Sequence, residues 1–208
     1  MTKVVNISYE DLLSSDDAGN EELALNLRRK IGQAFGNSDS FGILTISGVP
    51  KFTKIRSTLL PLAREIALLP SDALNDITIE SSNYQVGWSH GKERVEGKDN
   101  FDDAKGSFYA NPLTDNLVQE ILERDKVTND YDDRSTEENL KKIAKENPAF
   151  FAPNVWPSDT LPELEVNFKE MGKLICSVGK KVAKLCDSYV LEQVSIYYIL
   201  YINFSSHW

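Results

Sequence analysis

The sequence predicts a mixed α/β (α+β) fold, on three observations. Leu164, Phe168, Met171, Ile175, Val178, Val182 and Leu185 recur at spacings of 4, 3, 4, 3, 4 and 3, the signature of a helix with one apolar face. Phe41-Gly42-Ile43-Leu44-Thr45-Ile46-Ser47 is a short, β-branched apolar run closed by Gly48-Val49-Pro50, which reads as a buried strand ended by turn chemistry. Of the 208 residues 41% are hydrophobic and 26% charged, a globular balance that rules out a disordered or fibrous chain.

Val4 to Ile7 is a short β-like opening, followed by the acidic, Ser-rich stretch 11–20. Leu23, Leu27, Ile31 and Ala34 then keep helical spacing, which predicts an amphipathic helix from Glu21 to Phe35. After the strand, Leu59, Leu62, Ala63, Ile66 and Leu69 keep one helix face up to Pro70, where a helix must stop. From Asn75 to Pro112 the periodicity fades and aromatics are scattered among glycines and charges. That pattern predicts a long ordered loop with short strands, a place where function concentrates. A short helix is expected over 115–124, and Ser135-Thr136-Glu137-Glu138 forms a capping box ahead of Leu140 and Ile143.

Pro157 and Pro162 signal the start of the long helix, expected over 161–187. Its spacing also fits a coiled-coil seam. Gly172 and Gly179, each costing about 1 kcal/mol relative to Ala in an isolated helix, favour packing on the protein's own sheet instead.

Charge and residue inventory exclude several functions. With 23 basic against 32 acidic residues the net charge is −9, which opposes a phosphate backbone or an anionic lipid surface. No nucleic-acid or membrane role is expected, and the chain reads as cytoplasmic. Cys176 and Cys186 fall on one helix about 15 Å apart, too far for a disulfide. His90 and His207 are the only histidines. Neither has a carboxylate at ligand spacing, so no metal-binding or catalytic residue is assigned. No Ser/His/Asp set, Cys–His pair or phosphate-binding glycine loop replaces them.

Several pieces taken in order carry a resemblance. Ser40-Phe41-Gly42-Ile43-Leu44-Thr45-Ile46-Ser47-Gly48-Val49-Pro50, with Ser47 where a His is usual, precedes Ala63-Arg64-Glu65 and Leu68-Leu69-Pro70. Tyr84-Gln85-Val86-Gly87-Trp88, Gly91-Lys92-Glu93 and Lys105-Gly106-Ser107-Phe108-Tyr109 follow, and then Asn154-Val155-Trp156-Pro157 ahead of the long helix. Over residues 1–190 this order resembles the N-terminal region of the isopenicillin N synthase-like, 2-oxoglutarate/Fe(II)-dependent dioxygenases.

The resemblance implies the helical and strand region of a jelly-roll (double-stranded β-helix) enzyme, with most of the barrel missing. It implies an oxidoreductase acting on a small molecule, with Fe(II) and 2-oxoglutarate as cofactors of the full-length family. In that family the His-x-Asp pair and the distant His that bind iron follow the long helix, and no such pattern stands here. The chain as written is expected to be inactive and to bind neither cofactor. Tyr84, Trp88, Phe108 and Asn154 are the substrate-facing candidates; the plainer reading of the aromatics is that they cover a sheet edge.

Residues 191–208 form an atypical tail. Gln193-Val194-Ser195 can be encoded by a splice-donor sequence, so 194–208 read as translated intron or, alternatively, as a β-strand of high propensity. The rival reading of the whole is a non-enzymatic interaction module. A piece that should pack on a barrel exposes apolar surface, and self-association is its expected consequence.

Overall fold

The computed structural model describes residues 4–15, 20–94, 100–128 and 137–205, with side chains excluded at 125–128 and 195–205. Ser135 and Thr136 of the capping box, and His207, lie outside the described residues. The chain divides into two compact units, one of residues 1–52 and 174–208 and one of residues 53–173.

In the first unit, strand β1 (Val5–Ser8) pairs in parallel with β2 (Leu44–Ser47), Val5 opposite Leu44 and Ser8 opposite Ser47. A parallel pair needs a crossover, which helices α1 (Tyr9–Ser14) and α2 (Glu21–Ile31) supply. Each starts on a polar cap: Ser8 Oγ accepts from the Asp11 N–H at 3.0 Å, and Asn20 Oδ1 from the Leu23 N–H at 3.3 Å. α2 runs into a π-helical turn, Gly32–Gly36. Ile7, Leu12, Leu27 and Ile31 form the core with Leu185, flanked by Leu44, Ile46, Val178, Val182 and Tyr189.

The expected buried strand is shorter and half-exposed. Leu44 and Ile46 face the core, Thr45 and Ser47 face outward, and Phe41 and Ile43 are exposed. A two-stranded pair packed on one side buries alternate residues, not a continuous run.

In the second unit, α3 (Phe52–Ala67) buries Ile55, Leu62 and Ile66 and stops ahead of Pro70. It carries Pro61 in its interior. α4 (Ser71–Asp76) leads to an antiparallel pair, β3 (Gly87–His90) with β4 (Gly106–Tyr109), and then to α5 (Leu117–Thr128), α6 (Glu137–Glu146) and the single turn α7 (Pro148–Phe151). The core here is Leu62, Ile66, Ile77, Trp88, Leu161 and Leu164.

α8 (Glu163–Ser205) contributes to both units. The stripe from Leu164 to Leu185 is mostly covered, but Ile175 is exposed. The helix also continues through the segment 194–205, where the sequence suggested a strand or no element. Cys176 and Cys186 are both free thiols on it. Among the described residues no helix is long and apolar enough to cross a membrane.

Candidate functional site

The second unit brings the candidate residues together around the β3–β4 pair. Gly87 opens β3 at φ +78°, and a Cβ there would stand 2.0 Å from the Ile77 carbonyl oxygen. That oxygen accepts from the Trp88 N–H at 2.7 Å, so only glycine lets the strand approach closely enough to set Trp88. Trp88 lies directly opposite Phe108 in the register. Its ring covers Gly106, where a Cβ would stand 2.2 Å from the indole, and it is 8% exposed.

Phe108 belongs to an aromatic triangle. Its ring centroid is 5.6 Å from that of Trp156 and 6.1 Å from that of Phe168, and Trp156 and Phe168 are 5.6 Å apart in an edge-to-face arrangement. Asn154 is engaged on both sides of its amide. Oδ1 accepts from the Asn111 N–H at 2.8 Å; Nδ2 donates to Asn111 O at 2.8 Å, to Thr114 O at 3.1 Å and to Asp115 Oδ1 at 3.0 Å.

Asp115 gathers the remaining partners. Trp156 Nε1 donates to its Oδ1 at 2.9 Å, and Lys169 Nζ to its Oδ2 at 2.5 Å. Lys169 also bonds Glu165 and lies 5.4 Å from the Trp156 ring centroid. Burial by itself raises the Asp115 pKa, but the hydrogen bonds from Lys169, Asn154 and Trp156 and the Lys169 charge outweigh it, and the carboxyl is held down at about 2. Burial likewise opposes the Lys169 charge, yet Asp115 and Glu165 raise its pKa. With the Asp115 pKa lowered and the Lys169 pKa raised, the pair is charged near neutral pH and acts as a clamp.

Tyr84 stands apart from that clamp. It sits at φ +59°, its hydroxyl donates to Glu80 Oε1 at 3.0 Å, and Lys92 Nζ lies 4.7 Å from its ring centroid. Glu80 and Lys92, with Ser71, Asn75, Thr78, Trp88 and His90, line a cleft of about 280 Å³. The His90 ring stacks on Trp88 at 6.1 Å, and its Nε2 is 2.7 Å from the Asp103 carbonyl oxygen. A carbonyl oxygen can only accept, so Nε2 is the donor of this contact. The cleft can hold a small polar molecule between Lys92 and Glu80. Of the two hydroxyls that line it, Ser71 and Thr78, that of Thr78 donates to Leu74 O at 2.7 Å.

The structure thus sets Trp88 opposite Phe108 in the β3–β4 register, links Phe108 to Asn154 through Trp156 and Asp115, and places Tyr84 with Lys92 beside the cleft. Asp115 and Lys169 were missed in the sequence; the available signals were an acid just ahead of a helix and a Lys four residues after Glu165. The described residues do not fit an Fe(II) and 2-oxoglutarate site: His90 is tied to a backbone carbonyl, and no three His, Cys, Asp or Glu side chains converge among them. Burial, then the neighbouring Asp187, push the Cys186 thiol up, which disfavours the reactive thiolate. In comparisons with known proteins, no family model, no curated protein and no solved structure matches the chain.

Proposed function

We propose that the chain is the N-terminal part of a small-molecule 2-oxoglutarate/Fe(II)-dependent dioxygenase of the isopenicillin N synthase-like family, inactive without the segment that would carry the iron ligands. The observation that carries this reading is the Asn154-Val155-Trp156-Pro157 run. Both polar side chains of that run bond one carboxylate, Asp115, and the run leads into α8, so a motif of the resemblance is also a structural joint. In this reading Trp88, Phe108 and Asn154 hold the wall of the substrate region, and Tyr84 faces the substrate. Fe(II) and 2-oxoglutarate would be held by residues beyond those described here.

The experiment is to sequence the transcript across the codons for Gln193 and Val194. A message joining Gln193 to a frame with a His-x-Asp pair and a later His is the expected result, and the longer protein should consume O₂ only with 2-oxoglutarate present. A message carrying only the Val194 extension and an immediate stop would overturn the reading.

A further inference from the structure

In the first unit one face of α2 and one face of α8 border an open groove of about 390 Å³, a volume in the range of small-molecule sites. Leu25, Arg28 and Arg29, continued by Gly32 and Gln33 of the π-helical turn, stand three or four residues apart, as do Tyr189 and Glu192 on α8, so each set shares one helix face. Gly32 lets the helices approach: a Cβ there would stand 3.0 Å from the Tyr189 ring. A π-helical turn at the end of a helix is itself common at functional sites.

The polar groups that line this groove are largely uncommitted. Arg28 Nε stands 2.8 Å from Glu192 Oε2, yet its buried N–H makes no hydrogen bond, so the contact pairs the two charges without aligning a donor on the carboxylate. Among the described residues the Arg29 guanidinium and the carboxamides of Gln33, Asn37 and Gln193 have no partner. Two guanidiniums against one carboxylate leave the groove one net positive charge, in a molecule of net charge −9. The acids of α2, Glu21 and Glu22, lie in its first turn and do not line the groove.

We propose that this groove is a binding site for a small organic monocarboxylate that carries an amide beside the acid and an apolar end. The Arg29 fork matches a carboxylate in two parallel hydrogen bonds, the carboxamides give and accept for the amide, and Leu25, 45% exposed, with the Tyr189 ring meets the apolar end. Charge selects a carboxylate over a phosphate ester, which near neutral pH brings close to two negative charges to a site with one to spare. No residue beyond Gln193 takes part, and the site belongs to the first unit alone. It does not depend on the enzymatic reading.

Titration of the full chain with hippurate, followed by NMR of the ligand, should give saturable binding with a dissociation constant below about 1 mM. Hippuramide, which keeps the ring and the amide but has no charge, should bind about tenfold more weakly. Phenyl phosphate should bind no more tightly than hippurate. Arg29→Gln, at an exposed position, should raise the dissociation constant about tenfold with the circular dichroism unchanged. Glu192→Gln should lower it, by removing the acid that competes for Arg28. Absence of saturation, equal affinity for hippuramide, tighter binding of phenyl phosphate, indifference to Arg29→Gln or weaker binding by Glu192→Gln would each overturn the proposal.

Discussion

Asn154 holds both backbone polar groups of Asn111: the side-chain oxygen takes the Asn111 N–H and the side-chain nitrogen gives to the Asn111 carbonyl, each at 2.8 Å. One amide thereby does what a neighbouring strand would do, and fixes the turn between β4 and α5. Asn154→Ala should cost about 2 kcal/mol, several bonds of modest net worth each. Asn154→Asp should cost at least as much, because it keeps the acceptor, loses both donors and sets a second negative charge beside Asp115. Urea unfolding of the two variants measures this; a loss under about 0.5 kcal/mol would mean that water replaces the clamp.

The Asp115 carboxyl gives the second unit an acid-dependent stability. Its folded pKa, about 2, lies below the ordinary value near 3.9. Its contribution is therefore fully present above pH 4 and is lost as the pH falls through 2. The side chain is 49% exposed, so screening reduces that contribution to about 1 kcal/mol. Asp115→Asn should be less stable than the parent by that amount at pH 7, and the difference should shrink between pH 4 and pH 2. A gap that stays constant over this range would remove Asp115 as its source.

Phe168 is half-buried, with its ring against Phe108 and Trp156. Phe168→Ala should cost about 2–3 kcal/mol, less than the 3–5 typical of a fully buried Phe. Phe168→Leu, which keeps much of the apolar volume, should recover more than half of it. Denaturant midpoints of the two variants decide the matter.

Tyr189 lies across Gly32 and Gly36, where a Cβ added at Gly36 would come within 2.3 Å of the tyrosine hydroxyl. Alanine at a helical position gains up to about 1 kcal/mol over glycine, whereas forced repacking costs about 1–3 kcal/mol. Gly36→Ala should be destabilising by about 1 kcal/mol net. In a Tyr189→Leu background it should turn neutral or stabilising, and a double-mutant cycle gives the coupling. Additive effects would mean that the tyrosine simply moves aside.

Fe(II) titrated anaerobically into this chain, with and without 2-oxoglutarate, should show no stoichiometric tight site, because His90 points its Nε2 at the Asp103 carbonyl. Calorimetry checks this, and a one-to-one site of micromolar affinity would mean that residues of this chain assemble a metal centre.

The helices α2, α3 and the first part of α8 were legible because their apolar residues keep a helical period and are buried, Leu27, Ile31 and Leu185 in the core of the first unit and Leu62, Ile66 and Leu164 in that of the second. The end of α8 was not. Ile196 to Ile202 is apolar without a period and rich in residues of high β-propensity, so no face can be read from it. A helix already nucleated upstream extends at little cost where an isolated one would not form. The exposure of Ile175, on an otherwise covered stripe, was equally unreadable, since spacing gives a face but not what lies against it. Of the candidate site, the aromatics and Asn154 stood out by residue type. The Asp115–Lys169 pair did not, because 54 residues separate its members and nothing local to either announces the other.

Ile7 and Leu185 share one core although almost the entire chain lies between them. On the ribosome, then, the first unit cannot close until its last contributors have been made. The second unit is continuous, residues 53–173, and can fold while synthesis proceeds. At ~5–20 residues per second, the strand and helices of the N-terminus wait on the order of ten seconds with Leu12, Leu27 and Ile31 uncovered. Folding of the intervening unit first shortens the loop that must finally be closed, which ties the closure of the first unit to residues it never touches.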